Sequence, residues 1–395
     1  CGGRGAMSDV GFVWIEDGPI PDSPLIAPQF SDEPRVLRGV DPDLHGLDAE
    51  GIRNKIGQLR AGMAPVYPRQ WVDTGKSTDG VDSFLFMQFN MLAEGLSALP
   101  DAKHPFELLE GQTNSCGGFA IPEDMKAKVF HFPVRKFLVL EDILLLSPDI
   151  LTLEECDRFV DFFMPALSRF GYHGVWVPKA ESPCKEFGWY SDGVAILWKK
   201  DVFTLVTERR WQRVHGREGQ PERNVSCATI LQKKTSGKKL VVACTHLKAK
   251  ANQENEDRRE SQIAGVLTNV AEAVELSRVA CGDAEHPPII VAADFNTDPF
   301  DVPGVKSKAV PAIQKVGFES AYALPADADS EFWTTWKRRG TSEVKHVIDY
   351  IFHSPGVACL SVYAVPPAEE IEEHRLPGLR FPSDHISIAA KLALI

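Results

Sequence analysis

The chain lacks any run of about 18 uncharged apolar residues, which excludes a membrane-spanning helix. Positive charge is also short: 43 Lys and Arg stand against 55 Asp and Glu, a formal net charge of −12. That balance excludes a general duplex-coating protein, which needs a basic face to release counterions. It leaves room for an enzyme whose own site is built from carboxylates. Cysteine is sparse, with eight residues at 1, 116, 156, 184, 227, 244, 281 and 359. None forms a Cys-x-x-Cys pair, which excludes zinc-ribbon and thioredoxin-type sites. Cys227 and Cys244 sit in apolar runs, where a thiol acts as a small hydrophobe. So scattered a set in a long chain points to a reducing compartment. The first residues lack a secretory pattern and are too acidic for an organelle-targeting peptide. No internal repeat, Walker loop or Gly-x-Gly-x-x-Gly occurs.

What is present is a large core: 44% hydrophobic residues, including 22 Phe and 8 Trp, in 395 residues. That length allows two or three ordinary domains, or one large α/β domain behind a leader. Residues 1–83 are rich in Pro and Gly, acidic and without a sustained period, so they read as a poorly ordered leader with one short helix over Ala49–Gly62. From Phe84 to Ile395 the chain reads as a catalytic domain of alternating β-rich and amphipathic runs. Strands are expected at Phe84–Asn90, Asp149–Glu154, Val175–Pro178, Gly193–Trp198, Ser226–Gln232, Leu240–His246, Pro288–Ala293, Val347–His353 and His385–Ala393. Helices are expected at Pro133–Leu146, Cys156–Phe170 and Gln253–Leu276, and residues 101–132 read as an inserted surface loop. This order implies an α/β layered fold.

The informative pattern is how the strands end. Asn90 follows FLFMQF, Glu155 follows LTLE, His246 closes VVACT, and Asp294 and Asn296 follow PIIVAA. Asp349 lies in VIDYIF, and Asp384-His385 precedes ISIAAKLAL. Open α/β sheets place ligands at their strand ends, so such residues from six separate strands would converge on one rim. Clustered carboxylates repel one another and persist when a hard cation neutralises them. Oxygen and amide donors without thiolates suit Mg²⁺ or Mn²⁺ rather than zinc.

Together MQFNMLAEGL, LTLEECD, WVPKAESPCKEFGWYSDGVAILW, THLKAK, AADFNTDP, TTWKRR, HVIDYIFHS and FPSDHISI resemble the endonuclease/exonuclease/phosphatase superfamily. Within it they resemble the nocturnin-like branch, related to the Curled-type and carbon-catabolite-repressor deadenylases. The resemblance runs from about Phe84 to Ile395 and implies a two-sheet α/β sandwich with one cleft. It implies Glu155, Asn90 and Asp384 as ligands of Mg²⁺, with Mn²⁺ an alternative. It implies Asp294 as the group that activates water, Asn296 beside it, and His385 on the scissile phosphoryl group with Asp349 orienting it. His246 and Asn224 match positions that hydrogen-bond phosphate oxygens. Lys179, Lys248, Lys250, Lys337 and Arg339, with Asn90, match substrate contacts.

Each residue has a plain structural alternative. Asn90 could end a strand, Asp349 could be a satisfied buried polar group, and His246 could pack between strands. Asp192 precedes Gly193 in a turn signature. This chain also departs from the branch: Lys-Ala-Lys at 248–250 replaces Lys-Ala-Arg, and Leu-Glu-Glu at 153–155 replaces Leu-Gln-Glu. Trp-Tyr-Ser-Asp-Gly stands for Asn-Gly-Pro-Asp-Gly, and Pro-Lys-Ala for Pro-Lys-Pro. Three readings follow. The first is a Mg²⁺-dependent enzyme that removes the 2′-phosphate of NADP(H). The second is a 3′-to-5′ exoribonuclease acting on poly(A) RNA, and the third an inactive RNA-binding scaffold, which the presence of Glu155, Asp294, Asp384 and His385 opposes. The chain is expected to be a monomer without a membrane span. It is expected in the cytoplasm, a mitochondrial placement resting on a true start that Met7 or an upstream codon would set.

Overall fold

The computed structural model describes residues 39–76, 82–98, 118–186, 188–211, 214–215, 221–222, 224–281 and 286–395. In chain order, α1 (Ala49–Arg60) precedes β1 (Trp71–Asp73) and β2 (Asp82–Asn90), followed by α2 (Glu94–Ser97), α3 (Glu123–Val129) and α4 (Phe132–Leu146). Next come β3 (Ile150–Glu154), α5 (Met164–Ser168), β4 (Tyr172–Pro178), α6 (Pro183–Glu186), β5 (Gly193–Lys199) and β6 (Phe203–Trp211). A short ladder of β7 (Val214–His215) and β8 (Pro221–Glu222) leads to β9 (Ser226–Lys233), β10 (Lys239–His246), α7 (Gln253–Cys281) and β11 (Ile289–Asp294). The last elements are α8 (Ala309–Lys315), β12 (Glu319–Ser320), β13 (Thr335–Arg339), β14 (Ser342–His346), β15 (Asp349–His353), β16 (Val357–Tyr363) and β17 (Ile388–Leu394).

The strands make two large sheets, ordered β1-β16-β17-β2-β3-β5-β4 and β12-β15-β11-β10-β9-β6. Side chains alternate along each strand, so every second residue faces the opposite sheet. Phe84, Phe86, Ile150, Val194, Ile196 and Trp198 of the first sheet meet Cys227, Leu240, Val242, Cys244, Ile290, Ala292 and Ile351 of the second. The other faces are covered by helices. α1 and α4 close over Met87, Phe89, Leu151 and Leu153, and α7 and α8 close over Ala228, Val241 and Val291. The result is a two-sheet α/β sandwich. Among the described residues no helix is long and apolar enough to cross a membrane.

Three expectations need correction. Residues 39–76 are not a disordered leader. Leu44, Ile52, Ile56 and Tyr67 are buried in the first helical layer, and β1 pairs antiparallel with β16. The Asp41 carboxylate takes two hydrogen bonds from the buried Lys136 ammonium, at 2.8 and 2.9 Å. Isolated apolar residues among Gly and Pro gave no period, because their order comes from contact with distant strands. Residues 1–38 and 77–81 lie outside the described residues.

The expected insert splits in the same way: 99–117 lie outside the described residues, whereas 118–132 contain α3 and a small core of Phe119, Ile121, Val129 and Phe130 with Leu92. The helix expected over Cys156–Phe170 is interrupted as well. Its start is a loop in which Asp157 accepts the Gly95 N–H. A π-helical turn at Phe159–Phe163 then leads into α5. Strand β6 and the hairpin β13–β14 were not foreseen, since their partly exposed, charge-rich residues carry no clean alternation.

Candidate active site

Strand register assembles the site. On the second sheet His246 of β10 lies beside Asp294 of β11, which lies opposite Asp349 of β15. On the first sheet Asn90 of β2 pairs with Glu154 of β3. On β2, Phe84 and Phe86 face the other sheet, and Gln88 and Asn90 continue that face. The apolar slot between the sheets thus turns polar at one end, where these rows meet.

At that end the Asn90 amide donates to Asp294 Oδ2 at 2.9 Å, and the Asn296 backbone N–H donates to Asp294 Oδ1 at 2.8 Å. His385 Nδ1 lies 2.9 Å from Asp349 Oδ2 and 3.9 Å from Asp294 Oδ2. Asp294, Asp349 and His385 are all buried, with one ligand atom from each within 4.8 Å of the others. Burial and the neighbouring Asp349 carboxylate push Asp294 up to about 7. For His385 burial favours the neutral ring, but the Asp349 and Asp384 carboxylates outweigh it and raise the imidazole to about 9. His246 goes the other way: burial, then the Lys179, His385 and Lys337 cations, hold it well below the usual histidine range. A neutral His246 accepts at Nδ1 from Lys179 Nζ, 3.1 Å away, so its Nε2–H faces Asp294 Oδ2 at 3.4 Å.

Basic groups line the rim. Lys179 Nζ lies 2.6 Å from Asp192 Oδ2, and Lys337 Nζ 2.5 Å from Asp384 Oδ2, with Arg339 at 3.5 Å from the same oxygen. Arg339 also stacks on Phe119, 4.5 Å from the ring centroid. Asp192, read from sequence as a turn residue, is fully buried and also accepts the Ser182 hydroxyl.

Of the three expected metal ligands, the structure brings two together. Glu155 follows β3 with φ +54°, a left-handed conformation a glutamate rarely adopts. Its carboxylate lies with Oε1 3.4 Å from the Asn90 amide and Oε2 accepting the Ala93 N–H. Asp384 is instead tied to Lys337 and Arg339. Carboxylates and an amide carbonyl are hard donors, so the residues at this end of the slot fit a hard divalent cation.

The remaining expected residues are placed less centrally. The Asn224 amide donates to the Thr245 hydroxyl, and its buried Oδ1 has no hydrogen-bond partner among the described residues. The Asn296 side chain holds the Leu247 carbonyl. Lys250 is exposed and Lys248 half-buried. Their backbone carbonyls anchor Arg259, so it is their main chain that the fold uses.

Arg135 and Gln88 were missed. Arg135, almost fully buried, donates to the Met91 and Pro382 carbonyls and to the Ser97 hydroxyl. It thereby ties the segment after Asn90 to the segment before Asp384. A charged residue within the apolar run FPVRKFLVLEDILLL was the available signal.

A sequence description of the endonuclease/exonuclease/phosphatase family matches residues 132–385. Mouse Nocturnin is 30% identical over 364 residues, covering 90% of this chain and 76% of that protein. The human Nocturnin catalytic domain with bound sulfate superposes with a TM-score of 0.57 at 29% identity, over 83% of this chain and 97% of that one. ANGEL2, a 2′,3′-cyclic phosphatase, superposes with a TM-score of 0.60 at 22% identity, over 83% of this chain and 99% of that one, a likeness of fold.

Proposed function

Since this chain belongs to the endonuclease/exonuclease/phosphatase family, and is therefore a phosphoesterase or nuclease by kinship, we propose that it removes the 2′-phosphate of NADP(H) by attack of an activated water. The observation that carries this reading is the buried Asp294–Asp349–His385 cluster flanked by Lys179, His246, Lys337 and Arg339. Acceptors for a proton and donors for phosphate oxygens thus sit in one small space. A hard divalent cation such as Mg²⁺ would be held by Glu155, Asn90 and Asp384, and would supply charge neutralisation and a more acidic water.

The chain's own groups do the rest. Asp294, its carboxylate fixed by the Asn90 amide and the Asn296 N–H, accepts the water's proton. His385, kept cationic by Asp349, donates from its other ring nitrogen to a phosphoryl oxygen as charge grows there. Neutral His246, Lys179 and Lys337 hold the remaining oxygens.

A small substrate accords with the surroundings. Poly(A) binding calls for aromatic faces on which successive bases stack. Among the described residues no Phe, Tyr or Trp is exposed, and the Trp336 ring already carries Arg375 and Lys345. The test is a side-by-side assay of the full chain in Mg²⁺ with NADPH and a fluorescent oligo(A). Phosphate release without shortening of the RNA supports the proposal. Shortening without phosphate release replaces it with the exoribonuclease reading, and neither product supports the inactive scaffold.

A further inference from the structure

Beside the reactive cluster lies a buried amide that bonds to one of its acids. Gln88, fully buried on β2, sends its Nε2 group to two acids at once: Glu154 Oε2 at 2.7 Å and Asp349 Oδ1 at 2.9 Å. The two hydrogens of one NH₂ group are thereby both used. Its carbonyl oxygen Oε1 is buried with no hydrogen-bond partner among the described residues. Flipping the amide would aim that oxygen at two carboxyl groups, so the acids themselves dictate the orientation. A buried carbonyl left unsatisfied is unfavourable, and here the arrangement delivers both N–H bonds to acids in a fixed geometry.

The consequence falls on Asp349. One of its oxygens takes the Gln88 N–H and the other faces His385 Nδ1 at 2.9 Å. With both oxygens engaged on opposite sides, the carboxylate cannot rotate, and its plane sets the imidazole. Glu154 is anchored in turn, since the Cys244 thiol, across the sandwich on β10, donates to its Oε1 at 3.3 Å. The line Cys244–Glu154–Gln88–Asp349–His385 therefore runs from one sheet to the other, with every member buried.

We propose that Gln88, held in register by Glu154, is a positioning residue that fixes the Asp349 carboxylate and through it the His385 ring. This rests on the phosphoesterase reading only for the kinetic consequence. The orientation itself is testable without any substrate.

The experiment uses the full chain and two readouts. The first is the low-field proton NMR resonance of the His385 Nδ1–H, assigned by its absence in His385→Asn. The second is the kcat and KM of phosphate release from NADPH. Gln88→Leu removes both N–H groups. It is expected to abolish or broaden the low-field resonance and to lower kcat by roughly 10- to 100-fold, the usual effect of losing an outer hydrogen-bond partner, with KM unchanged. Glu154→Gln keeps an acceptor for Gln88 and is expected to retain both readouts, whereas Glu154→Leu loses them in part.

A Gln88→Leu protein that keeps the resonance and kcat overturns the proposal, as does a wild type that lacks the resonance. If Gln88→Leu fails to fold, Glu154→Leu decides the matter: an unchanged resonance counts against positioning. Loss of the resonance in a chain that releases no phosphate from NADPH leaves the positioning intact and refutes the substrate reading instead.

Discussion

Lys337 Nζ lies 2.5 Å from Asp384 Oδ2, so a cation expected to meet substrate is paired with a carboxylate expected to meet metal. Burial would raise Asp384, but Lys337, with His385 and Arg339, outweighs it and holds the acid well below the usual carboxylate range. On the proposed function, substrate and metal compete for this pair: a phosphate that draws Lys337 away frees Asp384, and a cation that takes Asp384 frees Lys337.

Lys337→Met separates these partners. It removes a charged hydrogen-bond donor, so KM for NADPH is expected to rise roughly tenfold or more. It also leaves Asp384 with fewer competing cations, so half-saturation should come at a lower Mg²⁺ concentration than in the wild type. Steady-state kinetics over a Mg²⁺ titration measure both shifts. A KM that does not change would remove Lys337 from the substrate site.

The hairpin that carries Lys337 and Arg339 is braced by Glu343, which accepts from Arg338, Arg375 and the Trp336 indole at 2.7 to 2.8 Å. Burial would raise this acid, but those hydrogen bonds, Arg375 first, hold it at about 2 instead of 4.5. A group depressed in the folded state binds its proton more readily when unfolded. Its stabilising contribution is thus complete above about pH 4.5 and fades as pH falls toward 2. Thermal unfolding should show Glu343→Gln less stable than wild type at pH 7, with the gap narrowing at pH 3.5. The difference should be modest, because the pair is a third exposed and screened by salt. A gap that widens on acidification would contradict the assignment.

Residues 39–76 belong to the folded core, so damage there should cost as much as damage in the sheets. Ile52→Ala on α1 empties a fully buried site and should destabilise the chain by roughly 2–5 kcal/mol. A chain starting at residue 84 also loses Asp41, the partner of Lys136, and strand β1. Urea unfolding of the variant and the truncated chain measures both effects. An Ile52→Ala midpoint equal to wild type would return this segment to the status of a leader.

Much of the sandwich and its reactive end could be read from sequence. Buried strands are continuous apolar runs, and where such a run ends in Asn90, Asp294 or His246 the period-two pattern carries the polar residue onto the same inward face. The rest depends on distant partners. Tyr67 has no local period to mark it, and the short helix expected over Ala49–Gly62 does not by itself reveal that Ile52 is buried in the core. The tie between Lys337 and Asp384 joins residues 47 positions apart through a hairpin whose charges hide its strands. Arg135 stands in an apolar helix where only tertiary contact reveals that it binds two loop carbonyls. Glu155 was recognisable by motif, but its left-handed backbone was not.

Glu155→Ala, assayed for phosphate release from NADPH with Mg²⁺ and with a chelator, tests the central claim most directly. The account predicts turnover by the wild type only when Mg²⁺ is present. It predicts no detectable turnover by the variant in either condition, with an unchanged circular dichroism spectrum. Retained Mg²⁺-dependent release by Glu155→Ala would contradict it.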